Sequence, residues 1–278
     1  MELVDHEGDL LEAGGLLEAT AKQSLFSLRG HIGFVTGASS GLGVDCATAL
    51  AMAGADVALA ARRGARLEQL ADGLAREYGV RTSAIQLDVT DDEEIDAALA
   101  RTERELGLVD ILVNNAGISP TGRAEALPRA AWDAAIATNL TAPMMLAQRV
   151  ARGLIEAKRP GRIINMVSIY ATVASSIYRL SAYTASKAGL LNLTRQLAVE
   201  WAVYGILVNA LAPGWIPTEA TEAGIAKGNN RERMEKSTPL GRLGRPEEIR
   251  GAIIFLASEA SSYVTGSMLA MDGGYQAW

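Results

Sequence analysis

At 278 residues and 49% hydrophobic, the chain is long and apolar enough to bury a full core. A net charge of −6 and a pI near 5.1 leave no basic surplus for holding nucleic acid. No apolar run reaches the roughly 18 residues a bilayer demands, the acidic opening MELVDHEGDLLEAGG is unlike a secretory signal, and a lone Cys46 excludes an intrachain disulfide and fits a reducing cytoplasm.

Residues 1 to about 28 read as an acidic appendage, for which disorder is the default expectation. From His31 onward, short apolar or β-branched runs alternate with longer helical patterns. Strands are predicted at 32–36, 56–61, 82–87, 109–113, 162–167, 206–211 and 267–271. Helices are predicted near 42–53, 64–78, 91–106, 130–157, 182–204 and 246–258. A helix between each pair of strands implies right-handed crossovers, hence an α/β fold: a doubly wound, Rossmann-type parallel sheet of about seven strands with helices on both faces. No linker interrupts the alternation, so residues 29–278 are expected to form a single domain. The long irregular stretch at about 213–245 carries Pro, Gly, Thr and charge, as functional lids do; residues 216–240 are expected to close over a substrate. Cys46 sits in the apolar helical run CATALAMAG and is read as a packing residue. His6, His31 and Cys46 offer no metal-ligand spacing, so no metal site is expected.

Two local patterns carry chemistry. Thr36-Gly37-Ala38-Ser39-Ser40-Gly41-Leu42-Gly43 follows the first strand and opens a helix. Glycines there allow a tight turn and close approach to a pyrophosphate, whose charge the helix N-terminal amides would meet. In YTASK, Tyr183 and Lys187 are four apart and share a helix face. A free phenol ionises near pH ~10, and an ammonium beside it favours the phenolate. Ser168 directly follows the apolar strand RIINMV.

Together these residues resemble the short-chain dehydrogenase/reductase family over roughly residues 29–278. TGASSGLG matches the family's TGxxxGxG, giving Gly37, Ser39, Ser40, Gly41, Leu42 and Gly43 as cofactor contacts. Asp88-Val89 matches the pair beside the adenine, and Asn115-Ala116-Gly117 belongs to the NNAG at the fourth strand. Asn139 in ATNLTAP, Ser168, Tyr183 and Lys187 match the catalytic set. Pro213-Gly214, Ile216 and Thr218 match the segment beside the nicotinamide carboxamide, and DGGYQAW resembles the tail of many bacterial members. The resemblance implies hydride transfer between a nicotinamide cofactor and a secondary alcohol or ketone. Tyr183 would exchange the proton, Ser168 would bond the substrate oxygen, Lys187 would lower the tyrosine pKa and bond the ribose, and Asn139 would hold a relay water. The fifteen-residue spacing from Ser168 to Tyr183 exceeds the family's usual thirteen or so, which suggests a short loop insertion in which Tyr170 and Tyr178 either line a pocket or pack.

The second strand ends at Ala61, where an acidic residue would select NAD, and Arg62 and Arg63 follow. Guanidinium suits phosphate, so NADP is expected, with NAD as the alternative. Two other readings of the fold remain: a lyase similar to the halohydrin dehalogenases, and a dinucleotide-sensing protein without catalysis. The intact glycine loop speaks against the first and the complete tetrad against the second. Sugar acids, 3-oxoacyl thioesters, steroids, cyclic ketones and simple secondary alcohols all stay open as substrates. The family's habit implies a homotetramer built on the two long helices, and Tyr275 and Trp278 in the tail are expected to seek a partner surface.

Overall fold

Strand follows helix along the chain as the apolar runs require. The computed structural model describes residues 24–277. Its first half runs β1 (Ile32–Thr36), α1 (Leu42–Met52), β2 (Asp56–Ala61), α2 (Gly64–Tyr78), β3 (Thr82–Gln86), α3 (Asp92–Glu105) and β4 (Ile111–Asn114). Its second half runs α4 (Arg129–Ile136), α5 (Ala142–Glu156), β5 (Gly161–Met166), α6 (Ser181–Trp201), β6 (Ile206–Pro213), α7 (Glu222–Ile225), α8 (Asn230–Ser237), α9 (Ile249–Ala257) and β7 (Met268–Met271). All seven strands are parallel, in the order β3-β2-β1-β4-β5-β6-β7. The order reverses between β1 and β4, and the crevice at their carboxyl ends is where such sheets bind ligands.

Both faces of the sheet are covered. On one side α1, α2 and α9 bury Cys46, Leu50, Leu67, Ile249 and Ile253 against Val35, Leu59 and Val113. On the other, α3, α5 and α6 bury Ile95, Leu146, Leu154 and Leu197 against Phe34, Leu112, Ile163 and Val208. Each such side chain contributes about 1.5–3 kcal/mol when fully buried. Helix α1 is buried on nearly every face because its alanines let β1 and α9 approach closely; a Cβ on Gly33 would stand 2.6 Å from Leu50 Cδ1. Helix α3 starts where Asp91 accepts from the amides of Glu93 and Glu94, and its acidic first turn suits the helix dipole. At the amino edge of the sheet, buried Asp110 accepts from Ile32 N at 2.8 Å and Arg159 Nη2 at 2.8 Å.

Three expectations need correcting or locating. The predicted helix 130–157 is interrupted by a π-helical turn, Ala137–Thr141, between α4 and α5. Pro143 lacks the N–H that an unbroken α-helix would aim at the Asn139 carbonyl, so the ladder breaks there. The stretch 213–245 read as irregular in fact carries α7 and α8, closed by the buried Ile225 and Met234. Residues 24–28, assigned to the appendage, lie against the fold: Leu28 is fully buried and Ala260 N donates to Leu25 O at 3.2 Å. Residues 1–23, with the rest of that expectation, fall outside the described residues.

Candidate active site

The glycine loop between β1 and α1 is built so that nothing of its own chain fills the space in front of α1. Gly37 and Gly41 hold φ of 67° and 57°, a region that side chains disfavour. A Cβ on Gly43 would stand 2.2 Å from Gly37 O. Helix α1 begins with no side-chain cap, so its first amides are offered to a ligand. The buried Thr36 hydroxyl receives the amides of Asn115 and Ala116, both at 3.0 Å, and Asn115 Nδ2 donates to Thr36 O at 2.9 Å. These bonds lock the loop after β4 against the loop after β1. This cradle fits a dinucleotide pyrophosphate.

The residues expected beside an adenosine lie after β2 and β3. Asp88 accepts from Thr90 N at 3.0 Å and Thr90 Oγ1 at 2.7 Å, bonds that hold its carboxyl below the usual range, with a smaller contribution from the Arg62 charge. Val89 is buried beside it. The two arginines diverge. Arg62 makes no ion pair among the described residues, whereas Arg63 crosses the glycine loop, donating to Ser40 Oγ at 2.5 Å and Ser39 Oγ at 3.2 Å. Thr218 lies over the loop, where a Cβ on Gly41 would be 3.3 Å from Thr218 Cβ. Gly214 packs against Asp272, and Ile216 is buried behind it. Leu42, at the first turn of α1, packs on the adjoining core.

The four residues expected to react converge near the ends of β4 and β5, the π-helical turn and the start of α6. Lys187, buried, donates from Nζ to Met166 O at 2.6 Å and stands 5.8 Å from the centre of the Tyr183 ring. A Cβ on Gly117 would be 3.2 Å from Asn139 Oδ1 and 3.7 Å from Lys187 Nζ, so the three residues meet at one point. Tyr183 is half-buried; burial raises its pKa and a hydrogen bond with Ser168 pulls it back. Lys187 is not among the groups that move the tyrosine's pKa in the protein alone. Asn139 is fully buried and spends its amide on the chain itself: Oδ1 accepts from Ile118 N at 2.9 Å, and Nδ2 donates to Ile118 O at 2.8 Å and Ser186 Oγ at 3.0 Å. Its side chain clamps the β4 loop to α6, and Pro143, four residues on, has no N–H to offer its main-chain carbonyl.

Burial pushes the Lys187 ammonium down to about 8. An unfolded lysine keeps its proton to about pH 10.4, so between these values the unfolded chain binds more protons and stability rises with pH. Relative to Lys187→Met, the wild type should gain about 2 kcal/mol between roughly pH 6 and 9.5. Urea unfolding of both proteins at the two pH values measures this, and parallel pH dependences would show that the lysine ionises normally.

Sequence reasoning missed the aromatic wall that packs beside Tyr183. Trp215, directly after Pro213-Gly214, meets Tyr170 at 5.5 Å, Tyr178 at 6.0 Å and Tyr275 at 6.1 Å between ring centres, the first and last edge to face. Tyr170 and Tyr178 therefore pack into one wall with the tail, where partly exposed Tyr275 meets Trp215; Trp278 is outside the described residues. Thr172 hydrogen-bonds Gln276, which ties the loop after Ser168 to the tail. Trp215 Nε1 and Tyr170 Oη are buried without a hydrogen-bond partner. A cavity of about 450 Å³ lined in part by Tyr178 lies between residues 122–125 and 174–184, and Asn139, Ser168, Tyr183 and Lys187 do not line it. Cys46 is a buried free thiol whose pKa burial pushes up. No cluster of metal-binding side chains occurs among the described residues, and no helix among them is long and apolar enough to cross a membrane.

A parallel sheet whose switch point carries a bare helix end, a glycine loop and a Ser–Tyr–Lys group defines a nucleotide-dependent oxidoreductase fold. Comparison with known proteins agrees. Residues 37–276 match the family model described as enoyl-(acyl carrier protein) reductase. Gluconate 5-dehydrogenase of Gluconobacter oxydans is 40% identical over 90% of this chain and 96% of its own. Galactitol 2-dehydrogenase (L-tagatose-forming) of Cereibacter sphaeroides is 40% identical over 92% and 99%. Among solved structures, a gluconate 5-dehydrogenase from Burkholderia cenocepacia in complex with NADP and tartrate superposes with a TM-score of 0.86 at 35% identity, covering 91% of this chain and 98% of that one. The chain belongs to the short-chain dehydrogenase/reductase family, NAD(P)-dependent oxidoreductases of secondary alcohols and ketones.

Proposed function

We propose that this enzyme reduces a polyhydroxylated ketone, or oxidises the matching alcohol, with NADP as cofactor. The carrying observation is the meeting of Tyr183, Ser168, Lys187 and Gly117 at the mouth of a glycine-loop cradle. The nicotinamide supplies or accepts the hydride when bound. In reduction, Tyr183 gives its hydroxyl proton to the substrate oxygen while Ser168 donates a hydrogen bond to that oxygen as charge develops. Lys187, buried and cationic, favours the phenolate left behind and is placed to bond the ribose. Asn139 fixes the β4 loop and presents its carbonyl for a relay water.

Support for NADP comes from Ala61, which brings no carboxylate, and from the arginines that follow it. Support for a polyhydroxylated substrate comes from the wall: Trp215 Nε1 can only donate, and an unpartnered buried donor calls for an acceptor oxygen beyond the reacting one. The two relatives named above for gluconate and galactitol point the same way. A panel of keto-sugar acids, ketohexoses and cyclohexanone, assayed by loss of NADPH absorbance, tests this. The hydroxylated ketones should be reduced at least tenfold more efficiently; equal kcat/KM for cyclohexanone would remove the substrate reading, and no turnover of any ketone would remove the reductase reading.

Cytoplasmic residence fits a single buried free thiol. A homotetramer fits the apolar side chains exposed on α4 and at the end of α6, namely Trp132, Val199, Val203 and Tyr204; a monomeric mass by light scattering at micromolar concentration would refute it. The reading of residues 29–278 as one domain belongs to the same proposal, supported by a sheet that takes strands from both halves of the chain.

A further inference from the structure

The end of β2 holds a second feature that the glycine loop and tetrad do not use. Glu219 follows Thr218 on the segment leading to α7, and lies 156 residues from Arg63 in sequence. Its carboxylate takes Arg66 Nη1 at 2.7 Å on one oxygen and Arg63 Nη1 at 3.3 Å on the other. Arg63 is the same side chain that bonds the Ser39 and Ser40 hydroxyls of the glycine loop. The place beside the end of β2 and the glycine loop is where a nucleotide's ribose 2′-substituent belongs. At that place this chain sets two guanidinium groups on an anion of its own.

We infer that Glu219 is a specificity-determining residue for the cofactor: its carboxylate competes with a 2′-phosphate for Arg63 and Arg66. The inference rests on the NADP reading of the site. Two arginines, Arg63 and Arg66, face one internal carboxylate there, with Arg62 next in the chain. A dianionic phosphate outbids that single charge, since planar guanidinium groups bind phosphate in two-point fashion. A nucleotide without the 2′-phosphate has nothing with which to displace Glu219. The carboxylate therefore lowers the affinity for NADP while leaving that for NAD unchanged. It also couples the two ends of the site: Thr218, one residue back, lies over Gly41, so when the phosphate takes the arginines the segment that leads to α7 and α8 loses its tether. The two exposed ion pairs are individually weak, so the competition is modest, of the order of three- to tenfold.

The test uses the full-length enzyme and two fragments of the adenosine end, adenosine 2′,5′-bisphosphate and adenosine 5′-monophosphate, with dissociation constants from calorimetry. In Glu219→Gln the bisphosphate should bind about three- to tenfold more tightly, and the monophosphate should stay within twofold. Glu222→Gln, which removes a neighbouring carboxylate paired only distantly with Arg231 at 3.8 Å, controls for a general change in lid charge and should move neither. Unchanged or weaker bisphosphate binding in Glu219→Gln would overturn the inference, because the carboxylate would then be neutral or a support for Arg63. An equal gain from Glu222→Gln would overturn it too, leaving only an unspecific charge effect. If the wild type holds the two fragments equally well, the NADP reading itself fails, and that result is distinct because it needs no variant.

Discussion

Tyr183→Phe is expected to lower kcat by at least about a hundredfold, the lower bound for loss of a positioned acid–base group. The change deletes one oxygen, that of the hydroxyl whose pKa Ser168 lowers. The ring itself stays packed with Ile169, Tyr170 and Leu180, so the fold and the cofactor site should survive. Steady-state assays in both directions, with NADPH affinity measured separately by fluorescence, check it. Near-normal turnover would end the assignment of Tyr183 as proton carrier. Because burial holds the hydroxyl above the ordinary phenol value, the protonated form needed for reduction is present throughout neutral pH. Oxidation needs the phenolate, so its rate should climb with pH where that of reduction is flat.

The second large effect concerns the cofactor. Arg62→Ala should weaken NADPH by about ten- to a hundredfold and leave NADH nearly unchanged, since a charge-assisted hydrogen bond is worth roughly 1.5–3 kcal/mol and each ~1.4 kcal/mol is tenfold. Arg62 is exposed and without an ion pair among the described residues, and its charge already reaches Asp88. Ala61→Asp should act by another route, repelling the 2′-phosphate while offering NADH a ribose partner. The values of kcat/KM for both cofactors in the wild type and the two variants decide it. A wild type that prefers NADH, or an Arg62→Ala change that weakens both equally, would make this arginine a surface charge only.

The strands, and the nearness of Tyr183 to Lys187, were legible because their signals are local. Apolar runs such as IGFVT and RIINMV can only be buried strands when helices separate them, and Tyr183 and Lys187 share a face by helix geometry alone. The π-turn was in principle legible too: a proline four residues after Asn139 removes the one amide that could bond its carbonyl. What could not be read were contacts that depend on tertiary closure. Nothing local joins Glu219 to Arg63, or Gln276 to Thr172, and a run of Pro, Gly and charge gave no period from which to foresee α7 and α8. The pKa of Tyr183 escaped for a related reason. Helix spacing places a lysine nearby, but how deeply both groups sink is a property of the assembled core, and Lys187 aims its ammonium first at Met166 O.

The tail after β7 carries a practical consequence. Gly273 and Gly274, with φ of 63° and 89°, turn the chain back so that Tyr275 reaches Trp215 and Gln276 reaches Thr172. A change that shifts Tyr275 or Gln276 would therefore be felt at Trp215 and Thr172, in the aromatic cluster that also packs Tyr183.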